Sequence, residues 1–96
     1  MAALTENGIW IKDKIDENTS IIRAKRLSQN NLIDVSIYKF DENNESQSRI
    51  ETRKADITNK EWKLSDAKVY YRGSNNVYSY FADYSFVSSF EINSIK

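Results

Sequence analysis

Apolar and polar residues alternate most clearly in the segment 31–41, Asn-Leu-Ile-Asp-Val-Ser-Ile-Tyr-Lys-Phe-Asp. Ile33, Val35 and Ile37 occupy alternate positions, with polar residues between them. Successive side chains of a β-strand point to opposite faces, and β-branched residues favour the extended backbone. The segment is therefore predicted to be a half-buried antiparallel strand that needs a second apolar surface to cover it.

Shorter runs of the same kind, separated by polar turns, predict further strands. They lie at 9–12, 19–27, 47–56 and 67–72, with one more strand and a less regular tail within the aromatic segment 77–90. Turns are predicted at Asn7-Gly8, at 28–31 and at 73–76. Several short strands joined by polar turns predict an all-β domain, either a β-sandwich or an open barrel.

Two segments need a choice between alternatives. Residues 58–61 match the capping-box pattern of a helix start, but the run that follows is too short for a helix. We therefore predict a turn after which Trp62 and Leu64 point inward. The segment 47–56 is strongly charged, which favours an edge strand whose charges discourage pairing with other chains.

Composition removes several classes of function. The chain of 96 residues has 14 basic and 14 acidic residues, so its net charge of zero argues against nucleic acid and anionic membranes as partners. It has no cysteine and no histidine, which excludes disulfides, thiolate metal sites and imidazole general bases. No apolar run approaches the roughly 18 residues of a membrane helix. One modest domain is expected.

Other candidate sites are weaker. The segment that begins at Asp41 resembles the start of a calcium loop, but Ser46 and Thr52 stand where that loop needs glycine and glutamate. The tyrosines near 70–72, with Tyr78 and Tyr80, would suit a stacking platform for sugars or bases, although aromatic residues on strands more often pack. Carboxylates are numerous, but no motif places a catalytic pair. No catalytic residue, metal site or cofactor is predicted.

Three segments resemble the periplasmic domain of the paired permease subunits, LptF/LptG type, of the lipopolysaccharide export ABC transporter. The first is Asn-Gly-Ile-Trp-Ile-Lys-Asp at 7–13, similar to a short apolar strand with a tryptophan. The second is the alternating strand 32–41, which ends in an aromatic residue and an acidic turn. The third runs from Ala55 through Trp-Lys-Leu to Ala67. Their order and spacing fit that family from about residue 7 to residue 71.

The resemblance implies a fold and a setting. The fold would be an open antiparallel β-jelly roll in two layers, of the OstA-like type. Residues 1–96 would form a single periplasmic domain, with 1–6 and about 91–96 as flanking segments. The full protein would have six membrane helices in the inner membrane, with this domain between the third and the fourth.

The resemblance also implies partners. Lipopolysaccharide would be the cargo, and the full-length protein would work with a partner permease, a cytoplasmic ATPase dimer and jelly-roll bridge proteins. The domain would have no catalysis of its own and would not bind nucleic acid. Edge strands of such domains pair with neighbours, so the isolated domain could also associate with itself.

An acyl-chain groove in such a domain would be lined by the inward-facing residues of the strands. The candidates are Ile22, Ala24, Ile33, Val35, Ile37, Ile50, Trp62, Leu64, Val69 and Tyr71. The same residues would form the core of a sealed sandwich, so alternation alone does not distinguish a groove from a core. The alternative function is a free-standing β-sandwich that binds protein or glycan, and an enzyme is a more distant one.

Overall fold

The computed structural model describes residues 2–6 and 8–90, and the regular elements in them are β-strands. The seven strands are β1 (Ala2–Thr5), β2 (Gly8–Ile15), β3 (Asn18–Ser28), β4 (Asn31–Phe40), β5 (Ser46–Asp56), β6 (Glu61–Tyr71) and β7 (Tyr78–Val87). The all-β prediction is confirmed. The segment 91–96, expected to flank the domain, and Asn7 of the first predicted turn lie outside the described residues. Within the described ranges there is no apolar helix of membrane-spanning length.

The strands form one open antiparallel sheet in which each strand pairs with the next along the chain. This agrees with the open antiparallel jelly roll predicted above. The edges are β1 and β7, and β1 lies within the residues expected to flank the domain. The prediction of an edge strand at 47–56 is wrong, because β5 lies between β4 and β6. Its charged residues lie on the solvent-facing side of an interior strand, a pattern that an edge strand also shows.

Gly8 marks a close approach between β2 and β3. Its φ is +112°, and a Cβ built on it would lie 2.3 Å from the carbonyl oxygen of Ala24. A side chain at this position would collide with backbone, which cannot move aside as a flexible side chain can. The glycine of the first predicted turn is therefore required by strand packing.

The segment with the capping-box pattern is not helical. The chain bends at residues 58–60, where the turn was predicted, and β6 then runs without interruption from Glu61 to Tyr71, so the strand begins six residues before the predicted strand 67–72. Trp62 and Leu64 point inward as predicted, and both are buried.

A crease runs across the middle of the sheet. In β4 the buried positions are Leu32 and then Val35, three residues apart where regular alternation would place them two apart. Asp34 between them has a φ of +52°, and the pairing of β4 with β5 skips it. Asp66 on β6 repeats this with a φ of +56°. Aspartate tolerates the left-handed region better than most residues, so it suits these positions.

Neighbouring strands show the same break at the same level. The buried or partly buried residues on each side of the crease are Ala24 and Leu27 in β3, Leu32 and Val35 in β4, Thr52 and Ala55 in β5, and Leu64 and Ala67 in β6. Each strand thus reverses its alternation at the crease, so the inner face stays apolar on both sides of the bend.

Bending at the crease brings together strands that are not neighbours in the sheet. The ammonium of Lys39 on β4 lies 5.9 Å from the ring centroid of Phe86 on β7. The carboxylate of Asp13 on β2 accepts hydrogen bonds from Ser88 and Ser89, just after β7. The sheet therefore faces itself across an interior, which gives one sheet two layers.

Candidate functional site

Side chains on the inner face form rows across the strands. Three rows are mainly apolar: Leu27, Leu32, Ala55, Leu64 and Tyr84; then Ile9, Ala24, Val35, Thr52, Ala67 and Phe81; then Ile11, Ile22, Ile37, Ile50, Val69 and Ser79. The fourth, which we call the polar row, consists of Asp13, Ser20, Lys39, Ser48 and Tyr71. The inner face therefore changes from apolar near the crease to polar at its outer margin.

Most of the predicted groove residues come together on this face. Those buried in one apolar cluster are Ile22, Ala24, Val35, Ile37, Ile50, Trp62, Leu64 and Val69. They are joined by residues that were not predicted, among them Leu32, Phe86 and Phe90. The alternation of 84, 86, 88 and 90 in the aromatic segment was the available signal for the last two, since Tyr84 is half-buried and the next three are buried.

Two of the predicted groove residues are not part of this buried cluster. Ile33 is half-buried on the outer side, because the crease at Asp34 moves Leu32 to the inner face in its place. Tyr71 follows the alternation of Val69, but it is the last residue of β6 and 54% exposed. A prediction that assumes uninterrupted alternation therefore places Ile33 on the wrong face. It also predicts burial of Tyr71, which is exposed because it lies at the strand end.

One part of the interior is tightly filled by aromatic rings. Trp62 has no exposed surface, and its ring centroid lies 5.6 Å from that of Phe86 and 6.5 Å from that of Phe90. Ile57 is buried in the same cluster. We call Trp62, Phe86, Phe90 and Ile57 the packed cluster. The indole N–H of Trp62 has no hydrogen-bond partner among the described residues.

Beside the packed cluster the interior opens to solvent. A pocket of about 330 Å³ lies between β7 and the strands that carry the polar row. We call it the mouth pocket; it is lined by Ile15, Asp16, Asn18, Ser20, Lys39, Gln47, Ile50, Tyr84, Ser85, Phe86 and Val87. The pocket therefore combines apolar walls with a polar rim. Within its wall, desolvation by burial, reinforced by electrostatic interaction with Tyr71, raises the pKa of Tyr84 above its ordinary value.

A β-bulge lies at the rim of the mouth pocket. The register of β4 against β5 shifts between Lys39 and Phe40, which pair with Ser48 and Ser46. Gln47 is the extra residue on β5, and it lines the pocket. Bulges bend a strand and redirect its side chains, which accounts for the place of Gln47 in the pocket wall.

A short segment after β7 ties the second layer to the first. Ser88 Oγ donates a hydrogen bond of 2.8 Å to Asp13, and the Ser89 N–H donates one of 3.1 Å to the same carboxylate oxygen. Ser89 Oγ donates to the other oxygen. The Phe90 N–H in turn donates to Ser88 Oγ at 3.0 Å. We call Ser88–Phe90 together with Asp13 the latch; it fixes the ring of Phe90 in the packed cluster.

The outer face carries charges and the tyrosines considered as a stacking platform. The guanidinium of Arg49 lies 4.2 Å from the ring centroid of Tyr70, which lies 5.4 Å from that of Tyr78. Near the crease, Asp66 accepts hydrogen bonds from Tyr80 and Arg53. These cross-strand pairs are the contacts expected on the solvent side of a sheet.

The acidic turn that resembled a calcium loop is closed by protein donors. Asp41 accepts hydrogen bonds from the backbone N–H groups of Asn43 and Glu45 and pairs with Arg72 at 3.3 Å. The bond from the Glu45 backbone is the largest cause that lowers the pKa of Asp41, with burial opposing it. The carboxylate therefore serves to order the turn.

The sequence matches the model of a known family over its described and flanking residues alike. The family model described as lipopolysaccharide export system permease LptF/LptG matches residues 1–96. Comparison with curated proteins gives no match.

Proposed function

Because the chain belongs to the lipopolysaccharide export permease family LptF/LptG, we propose that its folded sheet carries the acyl chains of lipopolysaccharide along the apolar inner face. Each methylene held in water costs about 0.8 kcal/mol, so a route for acyl chains must offer a dry surface throughout. The three apolar rows, which include most of the predicted groove residues, would line such a route.

The observation that carries this proposal is the mouth pocket. Ile50 and Phe86 belong to the buried apolar cluster and also line this opening, so the apolar interior continues to the molecular surface. A sandwich that served only as a core would gain stability by filling that space. The polar row at the margin suits a guest that is apolar at one end and polar at the other.

The setting is part of the same proposal. The domain would lie on the periplasmic side of an inner-membrane permease, and the full-length protein would act with its partner permease, an ATPase dimer and jelly-roll bridge proteins. The edge strands β1 and β7 are the parts of the sheet that could pair with neighbouring domains. The domain itself would contribute a path and no chemical step.

Photo-crosslinking in the full-length transporter tests the proposal. A photoreactive phenylalanine replaces Phe86, which lines the mouth pocket, and in a matched control replaces Tyr80, an exposed aromatic residue of the same strand. We expect lipopolysaccharide to label the Phe86 position several times more strongly than the Tyr80 position, and only while ATP is hydrolysed. Equal labelling at the two positions would contradict an interior path.

A further inference from the structure

The polar row places one cation on the inner face of the sheet. Lys39 shares its face with Val35 and Ile37, and it lies between Ser20 on β3 and Ser48 on β5. Lysine is rarely turned toward an apolar interior unless its ammonium reaches water or a partner. Here the ammonium stands over the ring of Phe86 in the wall of the mouth pocket.

No acidic side chain of the described residues neutralises the ammonium of Lys39. Among the described residues Lys39 forms no ion pair, and its ammonium lies against the ring of Phe86. The acid of the same row, Asp13, already accepts hydrogen bonds at both carboxylate oxygens. The other acid in the pocket wall, Asp16, is exposed in the β2–β3 turn. A positive group therefore remains available at the border between apolar wall and solvent.

We propose that Lys39 binds a phosphate group in the polar head of the amphiphile whose acyl chains lie against the apolar rows. The inference rests on the proposed function and deepens it by assigning the head group a place. A lysine ammonium is a compact point charge that suits a phosphate at a wet margin, where bidentate geometry is not needed. Ser20 and Ser48, which carry hydroxyl groups, flank it in the polar row, and Gln47 at the bulge lines the same pocket.

The test uses the full-length transporter with the photoreactive residue at position 86. Labelling is compared between intact lipopolysaccharide and lipopolysaccharide with its lipid-anchor phosphates removed, in the wild type and in Lys39→Gln. A hydrogen bond to a charged group is strong enough that we expect about tenfold weaker labelling by the intact lipid in Lys39→Gln. The dephosphorylated lipid should label both proteins equally, and Lys39→Arg should restore labelling by the intact lipid.

Lys68→Gln is the matched control. Its ammonium also stands over an aromatic ring, 5.0 Å from the centroid of Tyr78, but on the outer face, so labelling should not change. Equal losses with both lipids in Lys39→Gln would make Lys39 a packing residue and overturn the inference alone. Labelling by the intact lipid that was as strong in Lys39→Gln as in the wild type would overturn it too. Absence of labelling in the wild type would overturn the proposed function and the inference with it.

Discussion

Two regions of the interior, the packed cluster and the mouth pocket, meet at Phe86. They differ in how completely they are filled and in their polarity. On one side, the ring of Phe86 packs against Trp62, which is completely buried. On the other side, the same ring lies beneath the ammonium of Lys39 in the wall of an open pocket. The packed cluster is apolar and filled, whereas the mouth pocket is partly empty and has a polar rim.

Under the proposed function, this difference gives the two regions separate roles, one in stability and one in transport. A filled aromatic cluster gains free energy from burial and dispersion, and any change of volume there is felt throughout the fold. A pocket with unfilled space gives up part of that gain. Stability should therefore depend on the packed cluster, and transport on the mouth pocket.

The largest expected effect is the loss of Trp62. Trp62→Ala removes a fully buried ring that contacts Phe86 and Phe90, so we expect the free energy of unfolding to fall by about 3–5 kcal/mol. Denaturant unfolding followed by circular dichroism measures it.

The matched control is the second tryptophan. Trp10 is 39% exposed on the outer face, where Arg23 stacks on its ring at 5.6 Å. Trp10→Ala should cost only about 1 kcal/mol. If the two tryptophans cost the same, the packed cluster would not be where stability is concentrated.

A smaller effect is expected at the latch, which joins the two regions. Asp13→Ala leaves the Ser88 hydroxyl and the Ser89 N–H without their acceptor, so the free energy of unfolding should fall by about 1–3 kcal/mol. Asp83→Ala, an exposed change on β7, should cost less than about 0.5 kcal/mol.

Hydrogen exchange locates the change made by Asp13→Ala. The Phe90 N–H donates to Ser88 Oγ and should exchange faster once the latch is released, while amides in the middle of β4 should stay protected. Unchanged exchange at Phe90 would mean that its ring is held by the packed cluster alone, and the two regions would then be independent.

Local alternation was enough to predict six of the seven strands of the described residues and most of the inner face, whereas β1 lies in residues that were expected to flank the domain. Trp62 and Leu64 could be assigned inward because they are apolar and alternate with the charged residues Glu61 and Lys63. The same reasoning misplaced Ile33, since Leu32 and Ile33 are equally apolar and the choice between them depends on Asp34 leaving the extended region. That change follows from the bend of the whole sheet, which no single strand specifies.

Contacts across the interior could not be predicted from local pattern. Lys39 and Phe86 lie on strands separated by two others, so their contact depends on how far the sheet folds at the crease. The charged residues of β5 led to the wrong prediction of an edge strand for a related reason. A solvent-facing strand surface and an exposed sheet edge both favour charged residues. Sequence therefore identified the apolar face, whereas the mouth pocket required the tertiary fold.

The smallest expected effect is on pH dependence, and it concerns the outer face. The hydrogen bond from Tyr80, supported by Arg53 and opposed by burial, lowers the pKa of Asp66 below its ordinary 3.8. The hydrogen bond to Asp66 raises the pKa of Tyr80 above its ordinary 10.0. The contribution of Asp66 is therefore complete above pH 3.8 and is lost as the pH falls through its lower folded-state pKa. That of Tyr80 is complete below pH 10.0 and is lost as the pH rises through its higher folded-state pKa.

Asp66→Asn checks the pair and, with it, the separation of outer face and interior. The variant should return the pKa of Tyr80 toward 10.0, measured by tyrosinate absorbance, and weaken the acid dependence of the free energy of unfolding. In a Trp10→Phe background Trp62 is the sole tryptophan, so its emission reports on the packed cluster alone. That emission should stay constant while Tyr80 titrates. If the emission changed in step with Tyr80, ionisation at the crease would alter the environment of Trp62. The outer face and the interior would then be coupled.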